Sequence, residues 1–176
     1  MLILNDKDEQ IPISQADAKY KRYIGNGAPK HFLSWSNNLT WRNFDLSVFF
    51  RGTFGFDVFN MRKYGMGLQG CGTDNVLRSA YLEDKNIRTG GGVISSYFLE
   101  DGSFIKLENV TLGYNFTPKN RKLLDNMRIY LSAKNLFTLT GYSGNDPSII
   151  DVNGIQPGVD SNSAYPTATQ LSLGVT

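Results

Sequence analysis

HFLSWSNNLTWRNFDLSVFFRGTF, running from His31 to Phe54, alternates apolar and small polar side chains with period two rather than 3.6. In its first half Leu33, Trp35, Leu39 and Trp41 alternate with Ser34, Ser36, Asn38 and Thr40. In its second half Phe44, Leu46, Val48 and Phe50 alternate with Asp45, Ser47 and Arg51, while Phe49 and Phe54 blur the parity. Successive side chains of a strand point to opposite faces, so the stretch reads as two strands, each with one apolar and one polar face. Arg42-Asn43 between them is short enough for a hairpin turn.

The scheme recurs three times downstream. Ser103–Phe116 sets Val110, Leu112, Tyr114 and Phe116 against Asn109, Thr111, Gly113 and Asn115. Met127–Leu139 sets Ile129, Leu131 and Ala133 against Arg128, Tyr130, Ser132 and Lys134, and the chain end sets Thr169, Leu171, Leu173 and Val175 against Ala168, Gln170, Ser172 and Gly174. The fold class is therefore all-β, with runs of about 10 residues, the length a tilted strand needs to cross a bilayer. Thr117-Pro118-Lys119-Asn120 opens a short polar connection, with a helical turn expected through Arg121–Leu124. Gly-rich Phe56–Gly102 and Pro-containing Thr140–Pro166 are long and show little periodicity. Short turns at one end of the strands and long loops at the other is the asymmetry of an outer-membrane barrel. Alternation alone does not distinguish lipid from a protein core, so a soluble β-sandwich, for instance a carbohydrate-binding module, fits the same pattern.

Composition narrows the function. The 176 residues make one domain's worth of chain, with 18 Lys+Arg against 16 Asp+Glu and a formal net charge of +2. With so little net charge and no Lys/Arg block, a nucleic-acid partner is not expected. A single Cys71 rules out an intrachain disulfide, and a single His31 removes histidine-based triads and most zinc sites. No apolar stretch of about 18 residues is present to make a transmembrane helix. The MLILNDKDEQ start lacks the basic region and apolar core of a signal peptide. Charged residues make up only 19% while aromatics reach 12%. The aromatics Trp35, Trp41, Tyr114, Phe116, Tyr130 and Phe137 lie near strand ends or on apolar faces, where a barrel would place interfacial girdles. Tyr64, Tyr81 and Tyr142 fall in the long segments and are expected to be exposed.

Chemistry-bearing clusters are few. Laid on an EF-hand loop, Asp6, Asp8, Gln10, Ser14 and Asp17 fall at ligand positions 1, 3, 5, 9 and 12. Ile11 stands where that loop needs Gly, and Pro12 stands at the backbone-carbonyl position, so a solvated acidic turn is the alternative to calcium. Gly90-Gly91-Gly92 lacks the following Gly-Lys-Ser/Thr of a phosphate cradle and reads as a flexible loop. Glu100, Asp101 and Glu108 are acids without a fixed separation, and Glu100-Asp101-Gly102 reads as a turn. With no convergent catalytic set, the chain is not expected to be an enzyme and needs no cofactor beyond the calcium alternative.

Several segments resemble the C-terminal portion of the SusC/RagA family of TonB-dependent outer-membrane transporters. They are Ile24-Gly25-Asn26-Gly27-Ala28-Pro29-Lys30, then Trp41–Gly52 followed by Gly55-Phe56-Asp57-Val58-Phe59-Asn60, and Tyr97–Leu107 continuing into Val110–Tyr114. Arg128-Ile129-Tyr130-Leu131-Ser132-Ala133-Lys134-Asn135-Leu136-Phe137-Thr138 follows, then Gly141–Pro147, Gly158-Val159-Asp160 and Tyr165-Pro166, all in family order. The resemblance spans residues 24 to 175. It implies that residues 1–176 are about five C-terminal strands of a transmembrane antiparallel β-barrel with long extracellular loops, the plug domain and earlier strands lying outside this sequence. The family usually closes its last strand with an aromatic residue, which does not follow Thr176 here. The implied function is transport of large nutrients, oligosaccharides or peptides, across the cell outer membrane. A SusD-like surface lipoprotein and TonB are the implied partners, with outer-membrane lipid around the wall. Asn109, Thr111, Asn115, Ser132 and Lys134 would line the lumen.

Overall fold

The computed structural model describes residues 2–4, 10–12, 22–67, 75–78, 96–117, 126–150, 156–161 and 165–176. A small antiparallel ladder joins β1 (Leu2–Leu4) to β2 (Gln10–Pro12). The hairpin β3 (His31–Trp41) and β4 (Phe44–Phe54) follows, then β5 (Asp57–Asn60) and the short helix α1 (Met61–Met66). After a 3-10 turn at Ser96–Phe98 come β6 (Leu99–Asp101), β7 (Phe104–Phe116) and β8 (Met127–Thr140), and the chain ends with β9 (Val159–Asp160) and β10 (Gln170–Val175). The five long-period runs of the sequence are β3, β4, β7, β8 and β10. They form one open antiparallel sheet in the order β10-β8-β7-β4-β3.

Register turns the alternation into two faces. Directly paired residues share a face, and one row across all five strands is Leu39, Leu46, Leu112, Leu131 and Leu173. Beside it run the row Asn37, Val48, Val110, Ala133 and Leu171 and the row Trp41, Phe44, Tyr114, Ile129 and Val175. The intervening rows on the other face are Thr40, Asp45, Gly113, Tyr130 and Gly174, then Asn38, Ser47, Thr111, Ser132 and Ser172. One face is apolar almost without interruption, and it is bare: Leu39 is 58% exposed, Leu131 50% and Leu173 76%.

A register shift crosses the sheet where Glu108 adds a residue to β7 and the β8 partner region includes Asn135 at φ 53°. Asn tolerates this left-handed conformation better than most side chains, and β-bulges commonly use it. Arg42 in the β3–β4 turn also has φ 53°. Two-residue hairpin turns want positive φ, which a non-glycine residue adopts at a cost of about 1–2 kcal/mol.

The long segments, which show little periodicity in sequence, hold ordered structure of their own. Strand β5 pairs antiparallel with β6 and parallel with β9, and Val58 of β5 meets Phe56, Phe104 of β7, Tyr142 and Ile150 in a buried cluster. Elements of two to six residues are too short to leave a readable period, which is why they escaped the sequence pattern. Tyr64 and Tyr142 are correspondingly not free loop aromatics: Tyr64 packs on Phe59 and Phe98, and Tyr142 is buried. Tyr81, Cys71, Gly90–Gly92 and Arg121–Leu124 lie outside the described residues.

The side on which this second layer sits decides between the two all-β readings. Phe104 and Lys106, both buried beneath it, pair with Thr53 and Arg51 and so belong to the polar face at its long-loop end. A soluble sandwich buries its apolar face between two sheets. Here the layer folds against the polar face, and the apolar rows are left open. That arrangement contradicts the sandwich and fits a barrel wall whose loops fold inward over the mouth.

Candidate functional site

The polar face is a network of cross-strand bonds. Arg128 donates through Nε to Asp45 Oδ1 at 3.1 Å and through Nη2 to Asp45 Oδ2, reaching from β8 to β4 across β7. Gly113 makes that reach possible, because a Cβ there would lie 2.5 Å from Asp45 Oδ1 and 2.7 Å from Arg128 Nε. Asn115 donates to the same carboxylate at 3.0 Å, and Asn43 donates to the Asn115 carbonyl at 2.7 Å, tying the hairpin turn to β7. Further along, Ser47 donates to Asn38, Thr111 to Ser132, Ser132 to Asn109, and Arg51 to Glu108. Each of these bonds pairs groups of the wall with one another. Replacing Gly113 with Val is expected to force Asp45 and Arg128 apart and to destabilise the full-length protein by about 1–3 kcal/mol, read as a lower unfolding temperature.

Tyr130 departs from the girdle expected of it. It pairs with Gly113 and Gly174 on the polar face and lies over Gly174, where a Cβ would come within 2.4 Å of its ring. Arg128 stacks on that ring at 5.2 Å. Of the remaining aromatics, Trp41 and Tyr114 lie in one row of the apolar face and Trp35 and Phe137 in another, while Phe116 pairs with Met127 one step beyond the first. At the short-turn end Trp41 stacks on Phe44 and Phe44 is tilted against Tyr114, with centroids 6.5 and 4.8 Å apart. Trp35, Phe50 and Phe137 form the second row, at 5.6 and 6.5 Å. Six residues of strand separate the rows, about 20 Å at ~3.3 Å per residue, with leucine, valine and alanine between. This is the layout of an apolar band between interfacial girdles.

At the long-loop end, motifs far apart in sequence meet. Asn26 N–H donates to Asp57 Oδ2 at 2.9 Å, and Asp57 N–H returns a bond to the Asn26 carbonyl at 2.8 Å. Gly27 lies against Pro157 and Gly158 so closely that a Cβ would come within 2.0 Å of the Pro157 carbonyl oxygen. Asn60 caps α1 by accepting from Lys63 N–H at 2.8 Å. Glu100 accepts from Ser143 N–H and Oγ, both at 2.8 Å, and pairs with Lys63 Nζ at 3.7 Å. Tyr142 donates to Asp160 at 2.6 Å, and burial, then that carboxylate, push its hydroxyl well above the ordinary tyrosine range. A cavity of about 580 Å³ opens beside these groups, lined by Asn60, Arg62, Lys63, Glu100, Asp101 and Ser143 among others.

A buried charge cluster fixes the last loop. Lys106, 2% exposed, donates through Nζ to Asp146 at 3.3 Å, Ser148 Oγ at 2.8 Å and Thr167 Oγ1 at 2.6 Å. Thr167 Oγ1 donates to Asp146 in turn at 2.6 Å, and Ser148 N–H donates to its other oxygen at 2.9 Å. Burial alone would raise the Asp146 pKa, but the bonds from Thr167 and Ser148 and the Lys106 charge outweigh it and hold the carboxyl at about 2. One ammonium thus grips both the outgoing and the returning leg of the loop. Nothing in Phe104-Ile105-Lys106-Leu107 marks this lysine in sequence, because its acid lies 40 residues away.

Of the calcium ligands expected from sequence, Asp6, Asp8, Ser14 and Asp17 lie outside the described residues, and Gln10 stands in β2 opposite Leu4. The acids Glu100, Asp101 and Glu108 do not converge: Glu100 is bonded to Ser143, Asp101 to Ser103 N–H and Glu108 to Arg51.

No family model matches the chain. It is 28% identical to TonB-dependent receptor P3 of Formosa agariphila, over 97% of this chain and 18% of that protein. It is 27% identical to TonB-dependent receptor SusC of Bacteroides thetaiotaomicron, over 80% of this chain and 14% of that protein. Among solved structures it superposes on the RagAB peptide importer in its closed-closed state with a TM-score of 0.74 at 23% identity, covering 98% of this chain and 20% of that one. The open-open state of the same importer gives 0.72. The chain therefore spans about a fifth of the length of the proteins it matches, and it shares the fold of that part of the RagAB structure.

Proposed function

We propose, from its similarity to the TonB-dependent receptors, SusC among them, that the chain forms about five C-terminal strands and two mouth loops of an outer-membrane importer. Lipid bathes the apolar rows, and the polar rows line the lumen. The importer takes up large nutrients, oligosaccharides or peptides, with energy delivered through TonB and a SusD-like surface lipoprotein over the mouth. The long loops are the parts of this chain placed to meet that lipoprotein or the cargo. The single observation carrying this reading is the side chosen by the second layer: it covers the polar face and leaves a continuous apolar face bare.

The test uses the full-length protein in its native host. It is expected in the outer-membrane fraction, co-purifying with a surface lipoprotein, and its deletion is expected to slow growth on oligosaccharide or peptide mixtures but not on monosaccharides and free amino acids. Recovery in the soluble fraction, or unchanged growth on every mixture, would contradict it.

A further inference from the structure

We propose that Arg42 and Trp41 form a binding site for the headgroup phosphate of a membrane phospholipid at the short-turn end of the wall. Three independent observations meet there. Arg42 holds φ 53° in a two-residue turn, a conformation that glycine adopts freely and arginine does not. Its guanidinium lies 5.2 Å from the centre of the Trp41 ring. Trp41 is 67% exposed and ends the apolar side of β3, in the row of Phe44 and Tyr114. The stacking thus carries the cation to the outer, lipid side of the wall, level with the boundary between apolar band and water. The carboxylate closest in sequence, Asp45, points to the opposite face and is already bonded to Arg128. A fixed cation at that boundary, on a ring that is itself suited to the interface, meets the phosphate layer of the membrane. Guanidinium geometry matches two phosphate oxygens.

This site rests on the wall reading, and the experiment separates the two. Full-length protein and its Arg42→Gln and Arg42→Gly variants are purified in detergent and incubated with phosphatidylglycerol, diacylglycerol or inorganic phosphate, and bound lipid is counted by native mass spectrometry. The wild type is expected to retain phosphatidylglycerol over diacylglycerol, and both variants to retain it about tenfold less, as the loss of a charged hydrogen bond implies. Arg42→Gly is expected to unfold at the same or a higher temperature than wild type, since it relieves the turn, so lost retention would not reflect a damaged fold. Inorganic phosphate is expected not to displace the lipid. Equal retention by wild type and variants overturns the site while leaving the wall intact, and displacement by free phosphate makes it a soluble-anion site instead. A wild-type protein that retains no phospholipid and does not fractionate with membranes overturns the wall reading itself.

Discussion

An arginine in place of Leu131 is expected to destabilise the full-length barrel by about 2–4 kcal/mol, the cost of a cation near the middle of a lipid-facing strand. The next residue provides the control. Ser132→Arg enters the polar row beside Thr111, where the lumen hydrates it, and is expected to cost about 1 kcal/mol or less. The contrast arises from register alone: Leu131 stands in the five-leucine row and Ser132 in the row of Asn38, Ser47, Thr111 and Ser172. Equilibrium unfolding from phospholipid vesicles measures both. Equal costs at the two positions would mean that neither face meets lipid.

The second large effect belongs to Lys106. Lys106→Met would leave Asp146 buried without its counter-charge, a loss of about 3–5 kcal/mol when one partner of a buried pair is removed. Pairing it with Asp146→Leu is expected to recover most of that loss, because two apolar groups can replace a buried ion pair at little cost. Amide exchange at Ser148 and Thr167, whose N–H groups both donate to Asp146, reads the effect locally. The pH dependence follows from the depressed Asp146 pKa. A carboxyl held at about 2 against an ordinary value of 3.8 contributes stability that is fully present above about pH 4 and lost as pH falls toward 2. Exchange at the two amides should therefore show no Asp146-linked loosening between pH 7 and 5. Their protection, corrected for the intrinsic pH dependence of amide exchange, should fall below about pH 4.

The sheet was readable because its signal is strictly periodic. Leu33, Trp35, Leu39 and Trp41 name their face within one strand, and the structure adds only the register that aligns them with Leu46, Leu112 and Leu131. What the alternation left open was which face is covered, since a lipid-facing row and a core row have the same composition. That answer came from Phe104 and Lys106, whose burial depends on segments that lack periodicity. Tyr130 misled because an aromatic near a strand end fits a girdle, whereas Gly174 opposite it provides a seat on the polar face. The motifs at Asn26-Gly27 and Gly158 were visible as a resemblance, but their physical reason was not: the glycines allow two distant segments to touch. Lys106 and Asp146 gave no sign of each other, because pairing across a loop leaves no local spacing to read.

The central claim is that the apolar face meets lipid and the polar face meets water. Spin-label accessibility reads this at positions 110, 111, 112, 114 and 115 of β7 in the full-length protein, reconstituted in a bilayer, with Gly113 left unlabelled because a side chain there would strike Asp45 and Arg128. Oxygen, which partitions into lipid, should relax labels at Val110, Leu112 and Tyr114 most strongly, while a water-soluble nickel chelate should favour Thr111 and Asn115. The two profiles should alternate out of phase with period two. Profiles that rise and fall together, or oxygen maxima at Thr111 and Asn115, would mean that the faces are not so divided.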